Sequence, residues 1–221
     1  LELNEKNLIT YGISKEAKVR AENVKLIQKK DSYYTSFDLR VSLKKKIIIK
    51  NILIPILGNH NLRNVLGAIS IAINIGINSN DIKKALLNFK GVKRRFTLVY
   101  SNKKNKVFDD YAHHPVEISA TLSAMKKLTK GKIITIFEPH RYTRTKELFK
   151  EFVKCFKDSD VLFILPVFSA GERRKKDFSN LSLTKEILKS EKVKTFSVSK
   201  KEKLFPSINK LLQPNDNVVF L

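Results

Sequence analysis

KVFDDYAHHP at 106–115 and KIITIFEPHRYTRT at 132–145 follow one plan: a β-rich apolar run ends in a polar cluster, and an amphipathic run begins directly after it. This order puts both clusters at the carboxyl ends of strands in a strand–helix repeat. Open, mostly parallel α/β sheets bind their ligands at such ends. Three of the four histidines, His113, His114 and His140, lie in these clusters.

Working outward, Phe96 to Tyr100 and Lys106 to Phe108 read as a hairpin with a polar turn at Ser101 to Asn105. Helices are expected at Val116–Leu128, Thr145–Phe156, Leu183–Lys189 and Lys203–Leu212. Strands are expected at Lys132–Phe137, Val161–Leu165, Val193–Val198 and around Val218. Strands separated by helices of this length imply right-handed βαβ units, so the fold class is α/β with a mostly parallel sheet. The first fifty residues read as mixed short strands and turns. Strand composition at Tyr33–Leu43 and Lys46–Ile54 is joined there by a lysine turn. A helix over Leu62–Ile75 is apolar nearly all round and is expected to be buried, with Gly76 at its C′ position. Ser79 is expected to cap a second helix, Asp81–Phe89. The basic hinge Val92-Lys93-Arg94-Arg95-Phe96 marks a domain boundary, giving domains 1–95 and 96–221.

Composition sets outer bounds. With 42% hydrophobic and 29% charged residues the chain can build a core and is not of disordered type. The single cysteine, Cys155, excludes a disulfide framework and a cysteine-built metal site. The apolar stretch Val65–Ile77 is broken by Asn74 and Gly76 and is shorter than the ~20 residues a bilayer requires. With no signal peptide in view, the cytoplasm is the expected location and no membrane partner is expected. The net charge of +23 is mostly lysine spread along the whole chain, without aromatic interleaving. It reads as a solvated basic surface that favours small anions, and no nucleic-acid partner is expected. The only methionine is Met125, and Asn217–Leu221 is a strand-like run at the last residue; both suggest a segment of a longer protein.

In the first cluster, Asp109 and Asp110 end a strand, where a carboxylate can meet a ribose hydroxyl or a metal-bound water. Pro115 suits the first helical position, and the N–H groups of that helix favour anions. The competing interpretation is that His114 only caps the helix and His113 is a solvated loop residue. In the second cluster, Arg141 and Arg144 stand three apart where a helix begins. Cations there oppose the helix dipole, so stability does not select them. Two guanidinium forks with His140 make a clamp for carboxylate or phosphate. The competing interpretation is a surface pair bridged to Glu147 or Glu151. Asn61 and Asn64, beside His60, could read a purine edge or simply cap a helix. Arg94 and Arg95 could meet phosphate or remain solvated. The stretch Ser169-Ala170-Gly171-Glu172-Arg173-Arg174 is either a loop over the crevice or a plain connector. Neither a G-x-x-x-x-G-K-[ST] loop nor a G-x-G-x-x-G run occurs, so the main phosphate cradle for any nucleoside triphosphate lies outside this segment.

Taken together, Gly58-x-His60-Asn61, Gly91-Val92-x-Arg94-Arg95-Phe96, Asp109–Pro115 and Pro139–Thr145 occur in an order and spacing that resemble the Mur ligase family. Leu8–Gly12 also fits, and the resemblance covers nearly the whole chain. It implies the end of a central ATPase domain followed by a Rossmann-like C-terminal domain. The activity implied is ATP-dependent amide formation through an acyl phosphate, joining L-alanine to UDP-N-acetylmuramate in peptidoglycan precursor synthesis, with ATP and Mg²⁺ as cofactors. By the same resemblance His60, Asn61 and Asn64 would serve adenine, and Arg95 and Asp110 the ribose or phosphates. His140, Arg141 and Arg144 would hold the incoming amino acid and the acyl-phosphate region. Tyr111, His113 and His114 would line the cleft; His113, His114, Arg141 and Arg144 would be the catalytic residues, either histidine as a general base, and no Mg²⁺ ligand is assigned. This segment alone, lacking the phosphate loop and the UDP domain, is expected to be inactive. Two alternatives are a ligase that recycles a murein tripeptide and a non-catalytic nucleotide- or nucleic-acid-binding module.

Overall fold

The computed structural model describes residues 8–29, 32–43, 46–89, 91–173 and 179–221. The chain divides into two compact units, 1–91 and 92–221. The lysine turn expected at 44–45 lies outside the described residues.

In the first unit, β1 (Tyr11–Gly12), β2 (Val19–Lys29), β3 (Ser32–Ser42) and β4 (Lys46–Ile54) form a sheet in that order. β1 pairs parallel to β2, and the other pairings are antiparallel. β2, β3 and β4 are long rather than short, at 11, 11 and 9 residues. Their alternating residues Val19, Ala21, Phe37, Leu39 and Val41 turn to one face, where Leu62, Val65, Leu66 and Ile69 of α1 (Asn59–Asn74) cover them. α1 buries only that face, contrary to the all-round burial its composition suggested: Ile71 is 65% exposed. Gly76, at φ +87, ends the helix. Its N–H donates to Ile73 O and that of Ile77 to Ala72 O, the paired closure of a Schellman turn. α2 (Ser79–Asn88) is capped by Asn78, one residue before the expected Ser79, because the Asn78 amide oxygen accepts the Asp81 N–H at 3.0 Å.

The second unit is a six-stranded sheet in the order β5 (Thr97–Ser101), β6 (Lys106–Asp109), β10 (Asn217–Phe220), β7 (Ile133–Phe137), β8 (Val161–Ile164), β9 (Lys194–Ser197). β5 is antiparallel to β6, as the hairpin reading expects, and all other pairs are parallel. α3 (Pro115–Leu128) links β6 to β7, α6 (Asn180–Ser190) links β8 to β9, and α7 (Leu204–Leu211) leads from β9 back to β10. The connection between β7 and β8 is two short helices, α4 (Tyr142–Glu147) and α5 (Phe149–Lys154), where one helix from Thr145 was expected. Leu148, at φ −101° and ψ 27°, leaves the helical region between them.

Right-handed crossovers put α7, which runs backwards across the sheet, on the opposite face from the forward-running helices. Ile134, Ile136, Phe163 and Val218 accordingly pack with Leu204 and Ile208 of α7. Phe137 points the other way, onto Phe152 and Phe156, with ring centroids 5.5 and 5.1 Å away. The winding reverses where β10 enters between β6 and β7, and such a reversal point opens a crevice at the strand ends.

Candidate functional site

β10 sets the two polar clusters side by side. The Asp110 N–H donates to Phe220 O at 2.9 Å on one side, and the Glu138 N–H to Leu221 O at 3.0 Å on the other. The clusters then meet: the rings of His113 and His140 lie 6.1 Å apart between centroids.

On the β6 side, α3 begins with a reciprocal cap. His114 Nδ1 accepts the Val116 N–H at 3.4 Å, Glu117 Oε2 accepts the His114 N–H at 3.3 Å, and Pro115 opens the helix. Glu117 Oε2 also accepts the His113 N–H at 3.1 Å and lies 3.7 Å from His113 Nδ1, which in turn sits 2.8 Å from Tyr111 O. Burial would raise the Glu117 carboxyl, but those two N–H groups and the charges of His113 and Arg95 outweigh it and hold it below its ordinary value. His114 is thus engaged as a cap, while the ring of His113 is turned toward the second cluster.

The basic hinge folds onto this cluster. Arg94 takes a left-handed φ of 58° and its carbonyl accepts the Tyr111 N–H at 2.7 Å. The guanidinium of Arg94 lies 5.0 Å and that of Arg95 5.8 Å from the centre of the Tyr111 ring, and the ring of His113 meets Tyr111 edge-on. Arg94 Nε is 3.5 Å from Asp109 Oδ2, and Arg95 makes only a loose 3.9 Å approach to Glu117. Asp110, expected to face a ligand, points inward. It is 1% exposed and accepts the Thr121 hydroxyl of α3 at 2.6 Å, because alternate residues at a strand end face opposite sides. Asp109 keeps 28% of its side chain exposed, beside Arg94.

On the β7 side, the strand ladder continues past its formal end. The Phe168 N–H donates to Pro139 O at 2.8 Å and the Arg141 N–H to Phe168 O at 2.9 Å, so His140 and Phe168 pair as a parallel bridge with rings 5.4 Å apart. Arg141 turns left-handed (φ 70°) as the residue before α4, and Arg144 follows in its first turn. Neither arginine is paired with Glu147 or Glu151 among the described residues. Two polar atoms here are buried with no hydrogen-bond partner among the described residues, His140 Nδ1 and Arg144 Nη1. Burial first, then the charges of Arg144, His113 and Arg141, lower the pKa of His140 and favour its neutral ring. A neutral histidine beside two guanidinium groups, one with an unused buried donor, suits a small anion.

His60, Asn61 and Asn64 belong to the first unit. Gly58, at φ +89, opens α1, and a Cβ there would come within 2.9 Å of the His60 ring. Asn61 is 7% exposed and donates one amide N–H to Leu57 O at 2.8 Å, whereas Asn64, one turn on, is exposed. Among the described residues no group of three histidine, cysteine or acidic side chains is placed to hold a metal ion. No described helix is long and apolar enough to cross a membrane.

Sequence reasoning passed over Glu117 and met Glu172 only as part of the loop Ser169 to Arg174. Glu117 carried a local signal, an acid three residues after a helix-capping position. Glu172 reaches Thr143 from another segment, and no local pattern announces such a contact.

The family model described as "Mur ligase, glutamate ligase domain" matches residues 94–221. The chain belongs to the Mur ligase family. The UDP-N-acetylmuramate–L-alanine ligase of Pelagibacter ubique is 42% identical over 199 residues, which are 89% of this chain and 42% of that protein. Its counterpart in Bartonella tribocorum is 40% identical over 222 residues, 99% of this chain and 46% of that one. This Mur ligase chain therefore spans less than half the length of these relatives. Among solved structures, the UDP-N-acetylmuramate–alanine ligase of Thermotoga maritima matches with a TM-score of 0.72 at 23% identity, covering 96% of this chain and 44% of that one. The murein peptide ligase of Psychrobacter arcticus matches with a TM-score of 0.62 at 24% identity, covering 96% and 42%. Both show that this chain has the Mur ligase fold.

Proposed function

We propose that this chain serves the ATP-dependent joining of L-alanine to UDP-N-acetylmuramate. The observation that carries this reading is the pair of buried, unpartnered groups, His140 Nδ1 and Arg144 Nη1, at the strand ends of a Mur ligase fold. The names of relatives at 40% and 42% identity supply the substrates.

An amino acid brings a carboxylate and an amine. Arg144, with Arg141 beside it, takes the carboxylate through charge-assisted hydrogen bonds. His140, kept neutral, can accept a proton or hydrogen bond from the amine without repelling it. Holding the carboxylate aims the amine at one point, which is the main gain available to a bimolecular amide formation. Tyr111 and His113 close the other wall of the crevice. ATP, when bound, supplies the phosphoryl group that activates the acceptor carboxylate. The exposed amide of Asn64, with Asn61 and His60 in the same helical turn, suits a purine edge. Within the second unit, the guanidinium groups of Arg94 and Arg95 would suit phosphate oxygens, and the partly exposed Asp109 would suit a ribose hydroxyl better than the buried Asp110. The described residues do not by themselves fit a Mg²⁺ site, and none is assigned.

The test is phosphate release by the complete polypeptide that carries this sequence, given ATP, Mg²⁺ and UDP-N-acetylmuramate with each amino acid, or with a murein tripeptide, in turn. Release that depends on L-alanine supports the reading. Release with the tripeptide alone moves the activity to the recycling class, and no release from folded protein overturns ligation altogether.

A further inference from the structure

The loop after β8 does more than connect. Ser169 to Glu172 forms a tight turn in which the Glu172 N–H donates to Ser169 O at 3.0 Å, with Ala170 at φ 47° and Gly171 at φ 88°. Two consecutive left-handed residues are the signature of a type I′ turn, and alanine holds that conformation only at a cost. The turn aims Glu172 back at the second cluster. One carboxylate oxygen accepts the Thr143 N–H at 3.1 Å and the other accepts the Thr143 hydroxyl in a short hydrogen bond. Together with the Pro139–Phe168–Arg141 ladder, these bonds tie residues 139–143 to residues 168–172.

We propose that Glu172 is a positioning residue for the amino-acid clamp: its grip on Thr143 fixes the first turn of α4, and with it the left-handed Arg141 and the partly buried guanidinium of Arg144. This rests on the ligase reading given above. Thr143 lies between the two arginines, so a shift there displaces both. α4 is too short to hold its own start, since an isolated helix of six residues is far below the ~12–15 that are even marginal in water. The hydroxyl of Thr143 first, then the N–H groups of Thr143 and Tyr142 and the charge of Arg141, hold the Glu172 carboxyl below its ordinary value and favour its ionised form.

The experiment uses the complete polypeptide and the variants E172Q, E172D and T143V, alone and combined as E172Q/T143V. It measures phosphate release as a function of L-alanine and, separately, of ATP. The expected result for E172Q is an amino-acid KM raised severalfold or more as the clamp loses its fixed geometry, with the KM for ATP close to wild type and the melting temperature lowered by no more than a few degrees. E172D should recover part of the affinity, and the double variant should be no worse than the worse single one. An amino-acid KM unchanged in E172Q, or a fall in kcat and melting temperature with no KM effect in any of the variants, overturns the inference. Failure of the wild-type protein to respond to L-alanine would instead strike the ligase reading, so the two outcomes stay separate.

Discussion

Replacing Arg144 by methionine should make the protein more stable and less able to bind its amino acid. Arg144 Nη1 is buried without a partner, and a buried donor in that state costs about 1–3 kcal/mol. Methionine keeps the aliphatic stem and its packing while it removes the donor and a charge that faces His140. Arg144 is only partly buried, so the net gain should be about 1 kcal/mol, a rise of roughly 2–8 °C in melting temperature for a unit of this size. The same change removes the fork that receives the carboxylate. A charge-assisted hydrogen bond of about 1.5–3 kcal/mol corresponds to a KM for the amino acid raised tenfold to a hundredfold. His140 supplies a third readout. Its burial remains, but the next cause of its lowered pKa is gone, so its titration in an NMR experiment should move up. A melting temperature that falls by several degrees while KM and the His140 titration stay put would refute the reasoning, because Arg144 would then be a paired structural cation.

Other outcomes follow from the packing and the charges. Gly131→Ala should destabilise the second unit toward the upper end of about 1–3 kcal/mol, since the new Cβ would lie 2.5 Å from Asp216 Oδ1 and 2.7 Å from the Asn215 carbonyl carbon; an unchanged urea midpoint would contradict this close approach. Glu117 is held below its ordinary value in the folded state, so its stabilisation is complete above about pH 4.5 and is lost as pH falls through the lowered folded value. His140 acts earlier on the same limb: the unfolded chain takes up a proton near 6.5 where the folded one resists, so stability declines as pH drops below that point. Denaturant melts between pH 7 and pH 3 should show both steps, and E117Q should shrink the lower one, which Glu22, Asp38 and Glu172 share, without touching the upper one.

The elements that read well from sequence had their signals in one stretch of chain. The β5–β6 hairpin showed itself by its polar turn, and α3 by Pro115 at its start. The parallel strands showed themselves by short apolar runs between amphipathic ones. What was hidden depended on distant partners. Nothing in Val218–Phe220 says that it pairs with both β6 and β7, because strand order is set by the crossover of α7. The inward turn of Asp110 depends on Thr121, eleven residues on, and two adjacent aspartates at a strand end look equivalent until the pleat assigns each a side. The exposure of Ile71 misled for a simpler reason: apolar composition gives no direction when an entire helix is rich in isoleucine. Glu172 was visible only as one acid in a basic loop.

The place of β10 also governs the order in which the second unit can be made. Val218 pairs with Val107 on one side and Ile134 on the other, so the sheet stays split into β5–β6 and β7–β9 until residues near 218 have left the ribosome. Closing those long loops before any contact rewards them is slow, and the two open strand edges are exposed while they wait. A nascent chain stalled before Asn217 holds every side chain of both clusters yet has no crevice between them.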